Sequence, residues 1–368
     1  MDRRHFLQLA AASQVLARST RPTPAYTKVT SFKPGTSGSG MPGPFPGRLS
    51  TIHRADSVDP DSEKINLAAV QQMMRDGMLA FTGDKDIRDA WARFFVPEDV
   101  VGIKINASGA PNINSSPEIV GEIAKNLVAV GVKPENIWVH ERFQSQVNTV
   151  NYAAFLPNGA HVVTADTMGY DPYTYVEVSF FGEDDTRSNL QRLVSERLTK
   201  IVNVPNMKDH GASGVTGCLK NIAYGEYSNV ARSHYSNDTH TLSFIGTLAS
   251  MEPLRSRTVL NVMDGLKGVW HGGPFAPDKK FRFYPRRIMF GTDPVALDRV
   301  LLDVIEEKRR EEKAISVWDR SDDSLKPGFR KDPNANNYIR EPGHIEYAAG
   351  LGLGIADKKK LDIREVKA

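Results

Sequence analysis

The sequence predicts an α/β protein built on a mainly parallel, doubly wound sheet with helices on both faces. Three observations predict it. Nearly continuous apolar runs, such as Val100-Val101-Gly102-Ile103-Lys104-Ile105-Asn106, suit strands buried on both sides of a parallel sheet. Segments with apolar residues at helical spacing separate those runs. The alternation then recurs along most of the chain, as repeated βαβ units require.

Taken in order, residues 48–54 read as a first strand. Residues 67–79 carry Val70, Met73, Met74 and Met78 on one helical face. The strand at 100–106 is followed by Ser115-Ser116-Pro117-Glu118, a helix start with serine cap, first-turn proline and early acid. Ile119, Ile123, Leu127 and Val130 continue that helix, Gly131 closes it, and residues 136–140 complete a βαβ unit. Beyond it, residues 161–165 predict a strand, 190–198 a helix, 200–204 a strand and 241–251 a helix. Residues 258–263 and 287–290 predict strands, and Asp293-Pro294 opens a long helix to about Lys308. Residues 151–188 are less regular, with 176–181 a candidate added edge strand.

The ends read differently. Arg3-Arg4-His5-Phe6-Leu7-Gln8, a short apolar run and Val15-Leu16-Ala17 make residues 1–17 a twin-arginine-type signal. Its run falls short of the roughly 20 apolar residues a bilayer span needs. The expectation is export by the twin-arginine machinery to the periplasm or beyond, with no membrane span in the mature form. Residues 18–43, rich in Pro, Gly and Ser, read as a flexible arm leading to one α/β domain at 44–368.

Composition excludes several classes. A net charge of +3 without a basic stripe gives no basis for nucleic-acid binding. The single cysteine, Cys218, rules out an intramolecular disulfide, a thiolate-held zinc site and an iron–sulfur cluster on its own cysteines.

Ligands of open α/β sheets collect beyond the carboxyl ends of the strands. There the sequence places Lys104 and Asn106, then His140-Glu141-Arg142, then the loop from Asn203 to Asn221. In that loop Gly211, Gly214 and Gly217 let the backbone turn and approach a ligand. Ser213 or Thr216 can cap a helix beginning near Gly217. Its N–H groups, flanked by Lys208 and Lys220, suit a phosphate or carboxylate. Lys104, Asn106, Gly214, Thr216, Gly217, Lys220 and Asn221 are the candidate substrate contacts. His210 and Lys208 are the candidate proton-moving residues. Asp264 and His271, near another strand end, are candidate ligands for a divalent metal. Asp293 reads as a helix cap, Asp298 as a residue of interest if its face packs inward, and His234 and His240 as exposed. The P-loop and dinucleotide spacings, H-E-x-x-H and G-x-S-x-G are absent.

Several of these segments together resemble the DUF362 family (domain of unknown function 362): residues 101–106, 203–210, 214–221, Gly291-Thr292-Asp293-Pro294-Val295-Ala296-Leu297-Asp298 and Ala349-Gly350-Leu351-Gly352-Leu353-Gly354. The resemblance implies a fold from about Pro44 onward but no activity. Some relatives carry ferredoxin-like cysteine clusters, which one cysteine cannot supply. The loop His210-Gly211 to Lys220 is also faintly similar to loops of nickel-pincer lactate racemases, over that stretch alone. The sequence leaves two main functions open: an enzyme acting on a small anionic molecule, with or without a divalent metal, and an exported metal- or metabolite-binding protein without turnover. A third reading, an assembly partner, gives the glycine-rich loop a purely structural role.

Overall fold

A computed structural model describes residues 23–35, 40–234, 241–276, 278–318 and 343–367. The signal segment and His240 lie outside them. The strands are β1 (Thr27–Val29), β2 (Arg48–His53), β3 (Val101–Lys104), β4 (Ile137–Glu141), β5 (His161–Thr164), β6 (Tyr170–Glu177) and β7 (Arg187–Gln191). There follow β8 (Lys200–Asn203), β9 (Asn206–His210), β10 (Gly214–Thr216), β11 (Thr258–Val269), β12 (Arg282–Phe283), β13 (Arg287–Gly291) and β14 (Asp362–Lys367). The helices that matter here are α1 (Leu67–Thr82), α2 (Pro117–Ala129), α3 (Cys218–Tyr224), α4 (Thr241–Ala249), α5 (Pro294–Glu311) and α6 (Gly343–Gly350).

The main sheet runs β14-β2-β13-β11-β8-β3-β4-β5. Every neighbouring pair along this path is parallel except the two that flank β13. From β3 the chain steps outward to β4 and β5, then returns to β8 on the other side of β3 and continues to β11. The winding therefore reverses between β3 and β8, where Lys104 lies opposite Asn203. Such a reversal opens a crevice at the carboxyl ends of the strands.

Each face of the sheet has its own core. Ile201, Met263 and Met289 turn to one side, against Leu219 of α3, Phe244 of α4 and Leu301 of α5. Val202, Val262 and Ile288 turn to the other, against Val70 and Met73 of α1 and Ile119 and Ile123 of α2. This period-two alternation buries both faces, as a doubly wound sheet demands. Burial of each large apolar side chain contributes about 1.5–3 kcal/mol.

Four expectations change. Residues 190–198 are not one helix: Leu190 and Gln191 end β7, which pairs with β6, and a short helix spans only Arg192–Glu196. The expected edge strand at 176–181 starts earlier, as β6, and belongs to a separate three-stranded sheet, β1-β6-β7. Part of the expected flexible arm is packed: β1 pairs with β6, and Tyr26 stacks on Phe244 and hydrogen-bonds Ser243 at 2.7 Å. Finally, β11 outruns its expected end because it pairs first with β8 and then with β9. Pro205 lies between those two strands and has no N–H to offer the ladder.

Candidate functional site

At the switch between β3 and β8, buried polar side chains converge. Four asparagines form a hydrogen-bonded row: Asn106 Nδ2 donates to Asn221 Oδ1 (3.0 Å), Asn221 Nδ2 to Asn203 Oδ1 (2.8 Å), and Asn203 Nδ2 to Asn261 Oδ1 (2.9 Å). The row ties β3, β8, β11 and α3 together at the last rungs of the β3–β8 and β8–β11 ladders. An amide offers both donor and acceptor, so such a row can satisfy itself without charge.

Lys104 is fully buried and pairs with Glu141 at the end of β4, while also donating to the Ile105 carbonyl. Glu141 thus serves Lys104, not the Arg142 guanidinium, although it accepts from the Arg142 backbone N–H at 2.8 Å. The Lys104 stem passes so close to Gly225 that a Cβ there would strike it. Beside this pair, His140 Nε2 meets Glu226 Oε1 at 2.8 Å with both side chains fully buried.

Lys208 rises from β9. Its ammonium donates to Asn106 Oδ1 at 2.7 Å, to the Ser108 carbonyl, and to the Ile113 carbonyl at 3.3 Å. Those acceptors match the three donors of an ammonium, so Lys208 clamps the loop after β3. Burial pushes its pKa down to about 7, while Glu141 and Asp264 pull it back up.

A tight turn from β9 to β10 brings His210 back over the site. Gly214 permits it, with φ of +74°, a conformation glycine adopts without strain. His210 Nδ1 accepts from the Ala212 backbone N–H at 3.0 Å, and its Nε2 lies 3.0 Å from Lys220 Nζ. Lys220 stands on α3, 8% exposed, its ammonium position 4.9 Å from the Tyr224 ring centre. Burial, then the charge of Arg142, pushes its pKa down to about 7. No carboxylate pairs with Lys220 among the described residues; its one hydrogen-bond partner there is His210.

The surroundings of Lys220 are basic. The His234 ring lies 5.3 Å from that of His210, and burial followed by the Lys220 charge holds His234 down at about 3. His234 is thus half-buried against His210 and Tyr224, not exposed as expected. Fully buried His344, from α6, is held at about 3 by the same two causes, against a smaller pull from the backbone of Ser213. Arg142 donates to the Tyr224 carbonyl at 3.3 Å, while its Nε is buried without a partner among the described residues. Thr216, opposite Lys208 in the β9–β10 ladder, has a buried hydroxyl that is likewise unpartnered there.

The expected anion site at the start of α3 is already filled. Asp298 of α5 accepts from the N–H groups of Cys218 (2.6 Å) and Leu219 (2.9 Å). Gly217 is where this carboxylate comes in, and a Cβ there would overlap it. Neither Ser213 nor Thr216 caps the helix. Burial raises Asp298 to about 7, against the pull of those N–H groups. Asp293 is the expected cap, accepting from Ala296 N at 2.9 Å and also from Gly47 N and Ile355 N.

Asp264 and His271 are occupied as well. Asp264 accepts from the backbone and hydroxyl of Ser116 (2.7 and 2.6 Å) and from Leu266 N (3.0 Å), so it holds the start of α2. His271 Nδ1 meets Arg309 at 2.9 Å. Among the described residues, no three His, Cys, Asp or Glu side chains gather as a metal site. No helix among them is long and apolar enough to cross a membrane.

A sequence model described as "Domain of unknown function (DUF362)" matches residues 101–303, more than half of the 368. The chain belongs to the DUF362 family. No curated protein matches it. The crystal structure of a protein from Thermotoga maritima is similar at a TM-score of 0.35 and 9% identity, covering 66% of this chain. The chain spans 59% of that protein's length, and likeness at this level adds nothing to the fold described above. In this DUF362 protein the matched span runs from β3 into α5. It contains every candidate site residue named from the sequence, whereas His344 lies beyond it.

Sequence reasoning missed His344, Glu226, Asn261 and the capping role of Asp298. Asn261 had a signal, as a lone amide inside an apolar strand. His344 and Glu226 had none.

Proposed function

We propose that this DUF362 protein acts on a small anionic molecule, a carboxylate or phosphate, taken up beside Lys220 and Arg142, with His210 and Lys220 exchanging a proton with it. One observation carries the reading: Lys220 is buried against an imidazole, with Arg142 near and no acid among the described residues to neutralise it. A buried basic group lacking a counter-ion is costly unless a ligand supplies one. Lys104 and Lys208 shape the site and add positive potential, but their own protons are spent on Glu141 and on three oxygens. Asp264 and His271 have no part in this reading, because their hydrogen bonds hold Ser116, Leu266 and Arg309 in place. We further propose that residues 1–17 export the protein by the twin-arginine route, which the fractionation of a tagged chain and its Arg3→Lys/Arg4→Lys variant tests.

Thermal unfolding of the mature chain with inorganic phosphate, acetate and succinate tests the anion site. A ligand at about a hundredfold excess over its Kd stabilises the folded state by about 2.7 kcal/mol. The expected result is a rise in Tm of several degrees with at least one of these anions, abolished by Lys220→Met. A wild-type protein indifferent to all three, or a variant that keeps the shift, would overturn the proposal.

A further inference from the structure

The hydrogen bonds of His210 assign a protonation state to Lys220. The Ala212 backbone N–H points at Nδ1, so Nδ1 is an acceptor and carries no proton. A neutral imidazole then bears its proton on Nε2, the atom 3.0 Å from Lys220 Nζ. With a donor on Nε2, the contact is a hydrogen bond only when Nζ accepts, which an ammonium cannot do. Lys220 therefore rests as a neutral amine whose one lone pair accepts the His210 Nε2 proton. Its neighbours agree: among the described residues no carboxylate stabilises the ammonium, and Arg142 opposes it. Lys104 and Lys208, each surrounded by oxygen acceptors, are the opposite case.

We propose that Lys220 is a nucleophilic amine that condenses with the carbonyl of a 2-oxo acid, whose carboxylate is held by Arg142 Nε, a buried donor with no partner among the described residues. This rests on the anion-binding reading and names the substrate class. Desolvated amines beside another cation are the lysines that form imines. As the carbonyl enters, the His210 Nε2–H turns from Nζ to the carbonyl oxygen. The freed Nζ lone pair attacks the carbonyl carbon, forming the C–N bond, and the π pair moves to oxygen. His210 Nε2 gives that oxygen its proton and takes one from nitrogen, leaving a neutral carbinolamine. A further proton from solvent, passed through His210, lets the C–O bond break; water leaves and a protonated imine remains. No oxidant or reductant is consumed.

Incubation of the mature chain with pyruvate followed by sodium borohydride, then intact mass and peptide mapping, tests it. The expected result is one reduced adduct on the Lys220 peptide, with labelling that grows as pH rises through about 7. His210→Asn should slow labelling more than tenfold while leaving the pyruvate-induced Tm shift in place. Lys220→Met should lose the adduct, and circular dichroism checks that it folds. A pyruvate-induced Tm shift without an adduct would overturn the imine and leave the anion site standing. Labelling spread evenly over surface lysines would also overturn it. Neither shift nor adduct, with phosphate, acetate and succinate equally inert, would overturn both.

Discussion

Lys104 and Lys208 stand a few residues from Lys220 in space and share its burial, yet the regions they occupy are opposites. Lys104 donates to two oxygens, Glu141 and the Ile105 carbonyl, and Lys208 to three, Asn106 and the carbonyls of Ser108 and Ile113. Around Lys220 the neighbours are His210, His234, His344, Tyr224 and Arg142. The first region is a finished structure that fixes the loop after β3 to the strand ends. The second has no carboxylate against Lys220 among the described residues, so a bound anion would supply the charge that an ammonium there needs. Buried lysines are thus of two kinds here, and only the environment tells them apart.

Breaking the finished region should be the most damaging. Lys104→Met strands Glu141 in the interior, and loss of one partner of a buried pair costs about 3–5 kcal/mol, readable by urea unfolding. Asp298→Ala comes next. It orphans the N–H groups of Cys218 and Leu219 at about 1–3 kcal/mol each, and added phosphate should restore little, because the pocket is sized for a tethered carboxylate. Lys220→Met should cost least, leaving stability unchanged or raised. A loss as large as that of Lys104→Met would erase the distinction between the two regions.

Lys220 also has a pH signature, which it shares with Lys208, whose pKa burial likewise lowers to about 7. The comparison with Lys220→Met is what isolates it. Folding lowers the Lys220 pKa from 10.5 to about 7, so the unfolded chain holds the extra proton between those values. Stability from this group therefore rises with pH across that window and is at its worst below about pH 7. Any advantage of Lys220→Met over the wild type should be greatest below about pH 7 and vanish near pH 10.5. Urea midpoints across that range provide the check.

The sheet was legible because its strands are apolar on both sides and its helices are not. The βαβ unit from β3 through α2 to β4 follows directly from Val101, Ile103, Ile119 and Ile123. The site was legible in part, since strand ends and the glycine-rich loop point to Lys104, Asn106, Lys208, His210 and Lys220. What sequence could not separate was which lysine is satisfied. That depends on carbonyls of Ser108 and Ile113, which every residue possesses, and on Glu141 reaching Lys104 from the neighbouring strand. Asp298 illustrates the same limit: the N-terminus of α3 suits an anion, and the fold supplies one from eighty residues further along. His344 arrives from α6, far in the chain, with no local pattern to announce it.

Proton-linked calorimetry tests the central claim most directly. Phosphate is titrated into the mature wild-type chain at about pH 9, in buffers of differing ionisation enthalpy. Because the empty site holds Lys220 as an amine, anion binding there should draw in about one proton per anion, and uptake should fade as pH falls below 7. Binding with no proton uptake at any pH, or uptake that survives in Lys220→Met, would contradict it.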